Sequence, residues 1–91
     1  MPVTELIKVT IRTPEGIIFE DVVEALSATN ESGLFDIMYE HTNFVTVLTG
    51  DIVLRLQTGS QQVIPLQTGV LRAFNSKVEV LIGVADAVPS A

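Results

Sequence analysis

Cysteine and tryptophan are absent from the 91 residues, and histidine and tyrosine occur once each. Without cysteine there is no disulfide framework, no thiolate nucleophile and no sulfur-ligated metal. A single histidine without cysteine cannot build a structural zinc site, and the carboxylates are too dispersed for an oxygen-ligated one, so no metal or cofactor is expected. Cations are scarce as well: Lys8, Arg12, Arg55, Arg72 and Lys77 are scattered through a chain of net charge −6. Phosphate backbones need a basic surface, so nucleic acid is a poor partner. No apolar run approaches the ~20 residues that span a bilayer, and the Met1–Glu5 segment lacks the basic start and apolar core of a signal peptide. No direct membrane insertion is expected, and the chain reads as cytoplasmic.

Motifs of catalysis are missing too. The chain holds no Gly-x-x-x-x-Gly-Lys phosphate loop, no dinucleotide fingerprint and no nucleophile elbow. Gly50, Gly59 and Gly69 fall at predicted turns, which accounts for them without a ligand. Three roles stay open for His41: a corner residue holding a backbone hydrogen bond, a partner contact, and a general base. The last lacks a nucleophile and an orienting group beside it. No catalytic residue is assigned.

What the chain does have is apolar residues, 47% of the total, enough for one core in one domain of this length. Leu6–Thr13 alternates, with Ile7, Val9 and Ile11 on one side and Lys8, Thr10 and Arg12 on the other, the period of a half-buried strand. Pro14-Glu15-Gly16 makes a turn. Ile17–Thr29 is ambiguous, because Ile18, Val22 and Leu26 would line a helix face. Its β-branched content and missing N-cap favour two short strands, broken near Glu20-Asp21. Asn30–Gly33 is a polar turn. Phe35–Ile37 and Phe44–Leu48 are strands on either side of a corner that holds His41, and the stretch looks like a crossing between two sheets.

Asp51–Gln57 alternates again, burying Ile52, Leu54 and Leu56, and returns through a Thr58-Gly59-Ser60 turn into Gln61–Leu66. Pro65 cannot donate to a ladder, which puts this return at an edge. Gly69–Phe74 and Lys77–Ile82 form a last hairpin across Asn75-Ser76. The fold class is all-β: a small flattened β-sandwich or barrel of about 8–10 short, mostly antiparallel strands. Residues 1–84 are expected to form the sandwich and 85–91 a C-terminal tail.

With these strands in order, the sequence resembles the N-terminal β-sandwich domain of the epsilon subunit of rotary F-type ATP synthases, called delta in mitochondria. Thr13-Pro14-Glu15-Gly16-Ile17-Ile18-Phe19 matches its opening Pro-x-Gly-x-x-Phe turn, running on into Val23-Glu24-Ala25-Leu26. Gly33-Leu34-Phe35-Asp36-Ile37-Met38-Tyr39-Glu40-His41, then Phe44–Leu48 and Gly50, follow its Gly-x-Phe/Leu-Gly-Ile-Leu-Pro-x-His segment, and Gly69-Val70-Leu71 its late Gly-Val-Leu strand. The likeness runs from about Leu6 to Val84. Asp36 stands where the family has glycine, Tyr39-Glu40 replaces its proline and neighbour, and Thr42-Asn43 replaces a common Ala-Pro.

The resemblance implies a non-catalytic subunit domain of the central stalk in the F1 sector, a rotor part serving ATP synthesis coupled to proton or sodium ion transport. It implies the gamma subunit and the c-ring as partners, and a cytoplasmic position peripheral to the inner membrane. The family's ring contact comes from the loops around its Gly and His, here Asn30–Gly33 and Met38–Asn43. Because the ring's loops carry a basic residue, Glu31 and Glu40 are the expected charged contacts. Leu34, Met38 and Tyr39 are the apolar anchors, with Ser32, His41, Thr42 and Asn43 beside them. The family's two-helix C-terminal domain is absent from these 91 residues, so its ATP-binding and inhibitory roles are not carried over. Apolar docking surface on an isolated rotor domain allows weak self-association. A stand-alone sandwich that binds some unrelated protein remains the alternative.

Overall fold

The computed structural model describes residues 6–39 and 43–83. Glu40, His41, Thr42 and the tail expected over residues 85–91 lie outside them. The described residues form nine strands and no helix: β1 (Ile7–Thr13), β2 (Gly16–Val23), β3 (Ala25–Asn30), β4 (Gly33–Ile37), β5 (Phe44–Leu48), β6 (Ile52–Arg55), β7 (Gln61–Ile64), β8 (Gly69–Phe74) and β9 (Lys77–Ile82). A five-stranded sheet in the order β2-β1-β9-β8-β5 packs on a four-stranded sheet in the order β4-β3-β6-β7. Every pairing is antiparallel except β1 with β9. The sandwich expected from the period-two pattern is therefore present.

Its core is aliphatic. Ile7, Val9 and Ile11 of β1 meet Leu26, Ile52 and Leu54 of the opposite sheet, closed by Leu48, Leu71, Val78 and Val80, all fully or almost fully buried. With no tryptophan to fill space, aromatic rings stay at the margin, where Phe35 and Phe44 meet edge to face at 6.0 Å between centroids. Leu56, expected inside, is only partly buried, because β6 ends at Arg55 and Leu56 opens the turn to β7.

The chain changes sheets four times: between β2 and β3, β4 and β5, β5 and β6, and β7 and β8. The first change comes at Glu24, three positions beyond Asp21, where the break was expected. Glu20 and Asp21 stay in β2 because it is an edge strand whose polar side chains reach solvent, and they pair with Thr10 and Val9. At Glu24 the flanking Val23 and Ala25 are both buried, one in each sheet, and the Glu24 amide donates to the Arg55 carbonyl at 2.8 Å.

The turn chemistry agrees more closely with the sequence. Asn75 and Ser76 take positive φ values of 48° and 60°, the geometry of a tight primed turn. β7 lies at the edge of its sheet and stops at Ile64, just before Pro65. Gly69 departs from its expected role as a flexible turn residue. It opens β8, buried, and a Cβ there would stand 3.0 Å from the Leu81 carbonyl oxygen, so close approach and not turn freedom requires glycine.

Candidate functional site

The loops expected to contact a partner flank β4, one at each end. On the β3–β4 side, Asn30 organises the turn: its Oδ1 accepts from the Ser32 amide at 2.8 Å, while its Nδ2 donates to Thr46 Oγ1 of β5 at 3.0 Å. Asparagine suits this position because one short amide can close a turn and still reach a neighbour. The Thr49 amide donates to the Thr29 carbonyl at 2.9 Å, so the turn is anchored to both sheets. Gly33 completes it with φ of 116°, a conformation side chains resist. Glu31 and Ser32 stand exposed on this pinned turn, and Leu34 just after it is 74% exposed.

On the other side of β4, Met38 and Tyr39 are exposed at 55% and 41%. Asn43 lies where the crossing re-enters β5, and its Oδ1 accepts from the Asn75 amide at 3.3 Å, tying the corner to the β8–β9 turn. Strand β4 runs antiparallel to β3. Six residue steps separate Ser32 from Met38, about 20 Å of extended chain. The structure thus brings Glu31, Ser32 and Leu34 together at one end of the sandwich and Met38, Tyr39 and Asn43 at the other. The six expected contact residues among those described fall into two separate groups.

A further surface escaped the sequence reading. On the outer face of the five-stranded sheet, Val45 and Val47 are 64% and 54% exposed and Leu81 is 41% exposed. A shallow groove of about 370 Å³ is lined by Val45, Val70, Leu81, Arg12, Arg72 and Glu79. The signal was in β5 all along: Phe44 and Leu48 face the core, yet the intervening Val45 and Val47 are apolar too. Among the described residues, no group of three or more histidine, cysteine or carboxylate side chains could hold a metal ion. No helix there is long and apolar enough to cross a membrane.

Comparison with known proteins adds the following. Residues 6–88 match the family model for the ATP synthase delta/epsilon chain β-sandwich domain. The ATP synthase epsilon chain of Sulfurovum sp. (strain NBC37-1) is 31% identical over 79 residues, covering 86% of this chain and 62% of that one. That of Sulfurimonas denitrificans is 32% identical over 85 residues, covering 90% and 64%. This chain therefore spans less than two thirds of the length of these relatives. Among solved structures, a chain of the Euglena gracilis mitochondrial ATP synthase (OSCP, F1 and c-ring) superposes with a TM-score of 0.79 at 16% identity, covering 90% of this chain and 53% of its own. A chain of the Tetrahymena thermophila mitochondrial ATP synthase central stalk and c-ring superposes at 0.70 with 15% identity, covering 84% and 62%. At such identities the superpositions speak for the fold.

Proposed function

Because the chain belongs to the family of ATP synthase delta/epsilon β-sandwich domains, we propose that it is a rotor part that fastens the gamma subunit to the c-ring in a proton- or sodium-coupled synthase. Its part is mechanical. Transmitting torque calls for a stiff body held at two places, and a close-packed aliphatic sandwich resists compression. The observation that carries this reading is the separation of the exposed groups to opposite ends of β4.

The turn with Glu31, Ser32 and Leu34 is the ring-facing end in this proposal. A carboxylate beside a 74% exposed leucine suits a loop that offers a basic residue next to apolar ones. Met38, Tyr39 and Asn43 form the stalk-facing end, with Tyr39 as its aromatic anchor. No residue is assigned to chemistry, and the domain works at the cytoplasmic side of the membrane that holds the ring.

Immobilising the protein, passing detergent extract of its source cells over it and identifying retained proteins by mass spectrometry tests the proposal. Gamma and c subunits should be recovered together. Glu31→Lys should weaken retention of c more than of gamma, while Tyr39→Ala and Glu40→Lys should do the reverse. Retention of other proteins with neither subunit would overturn the rotor reading and favour the stand-alone binding module.

A further inference from the structure

The register of the five-stranded sheet sets its outward side chains in rows that cross the strands. In one row Val47 stands opposite Val70, Val70 opposite Leu81, Leu81 beside Arg12, and Arg12 opposite Ile17. It crosses all the strands of the sheet, four inter-strand spacings or about 19 Å, and its only charge is Arg12. The adjacent row is polar beyond Val45: Arg72, Glu79, Thr10 and Glu20 follow it in turn. In it Arg72 is occupied, with Nη2 3.7 Å from Glu79 Oε1 and its guanidinium carbon 4.4 Å from the Phe74 ring centroid.

A solvated sheet face ordinarily carries polar side chains outward, because exposed apolar rows gain nothing in folding and promote association. Here Ile17, Val47 and Leu81 remain roughly half exposed, although the same sheet buries Ile11, Leu48, Leu71 and Val80 on its inner side. Charge polarises the row. Arg12 lies toward β2, whereas Glu31 borders a second groove at the β5 margin together with Val45, Thr46, Val47 and Thr49. An acidic group is attracted to the first end and repelled from the second.

We infer that this face docks a protein segment bearing an apolar stripe that ends in a carboxylate, laid across the strands with its acid over Arg12. This surface is separate from the ends of β4, so it stands or falls independently of the rotor proposal.

NMR titration of the 91-residue protein with two synthetic amphipathic peptides tests it. The peptides share one Leu/Val stripe and carry either glutamate or lysine at one end of it. The glutamate peptide should bind about 5-fold or more tightly at low salt, a preference that fades as salt screens the pair. Its largest shift changes should fall on Val45, Val47, Val70 and Leu81. Arg12→Glu should reverse the preference and Arg12→Gln should abolish it, each leaving the amide shifts of β3 and β6 in place. Equal affinity for both peptides, shift changes centred elsewhere, or no binding would overturn the inference. So would peptide-independent, concentration-dependent shifts of the same four residues, which would make a second copy of the chain the occupant.

Discussion

The two outer faces of the sandwich are built from strands that share one core, yet they meet solvent differently. On the four-stranded sheet, the central row runs Asp36, Ser27, Val53 and Val63, and it starts with Ser27 Oγ donating to Asp36 Oδ1 at 2.7 Å. Its exposed apolar part is confined to the β6–β7 side. On the five-stranded sheet the row Val47, Val70, Leu81, Arg12 and Ile17 crosses every strand. Folding explains the inner faces of both sheets, since each supplies fully buried aliphatic residues to the same cluster. It does not explain an apolar row that runs across all five strands of one sheet, broken only by Arg12, whereas on the other sheet exposed Leu34 and Val63 are separated by Asp36 and Ser27; the docking inferred above accounts for it.

The strongest way to test the shared half of this comparison is to cut one buried leucine from each sheet. Leu71→Ala and Leu54→Ala should each cost about 2–5 kcal/mol in urea unfolding, because both side chains are fully buried in one cluster. If one cost as little as an exposed substitution, the sheets would not share a core.

A smaller effect separates two glycines near the sheet ends. Gly69→Ala should cost about 1–3 kcal/mol, since its Cβ would press on the Leu81 carbonyl oxygen at 3.0 Å and backbone cannot easily yield. Gly50→Ala, whose Cβ would meet Thr29 Cβ at an ordinary 3.6 Å, should change stability by less than about 0.5 kcal/mol.

The smallest stability changes carry the most information about function. Leu81→Gln and Val53→Thr, one on each outer face, should both stay within about 0.5 kcal/mol of the parent in unfolding. Only Leu81→Gln should weaken binding of the glutamate peptide. Equal loss from Val53→Thr would erase the distinction between the faces.

Much of this was readable from the chain, and the failures have physical causes. Alternation in Ile7–Thr13 and the apolar–polar rhythm around Ile52–Arg55 marked strands whose inward residues are those found buried. Asn75-Ser76 announced its turn because few residue pairs accept positive φ twice in succession. The break between β2 and β3 was misplaced because two acids look like a loop, whereas on an edge strand they are solvated without interrupting the ladder. The separation of Glu31 from Tyr39 was hidden by nearness in sequence: a five-residue strand between two loops drives them apart. The apolar outer row could not be seen at all, because it joins residues from Arg12 to Leu81 through pairings, including the parallel β1–β9 ladder, that no local pattern encodes.

Membership of the ATP synthase delta/epsilon family is established by the match over residues 6–88; attachment of this chain to the rotor is the claim that calls for direct measurement. The intact synthase should be isolated from membranes of the source cells through a subunit other than this one, and peptides of this chain quantified against those of gamma. The account predicts that the chain is present in fixed proportion to gamma and leaves with gamma and the c-ring when the catalytic subunits are stripped away. Its absence from the purified complex, or its departure with the catalytic subunits instead, would contradict a rotor role.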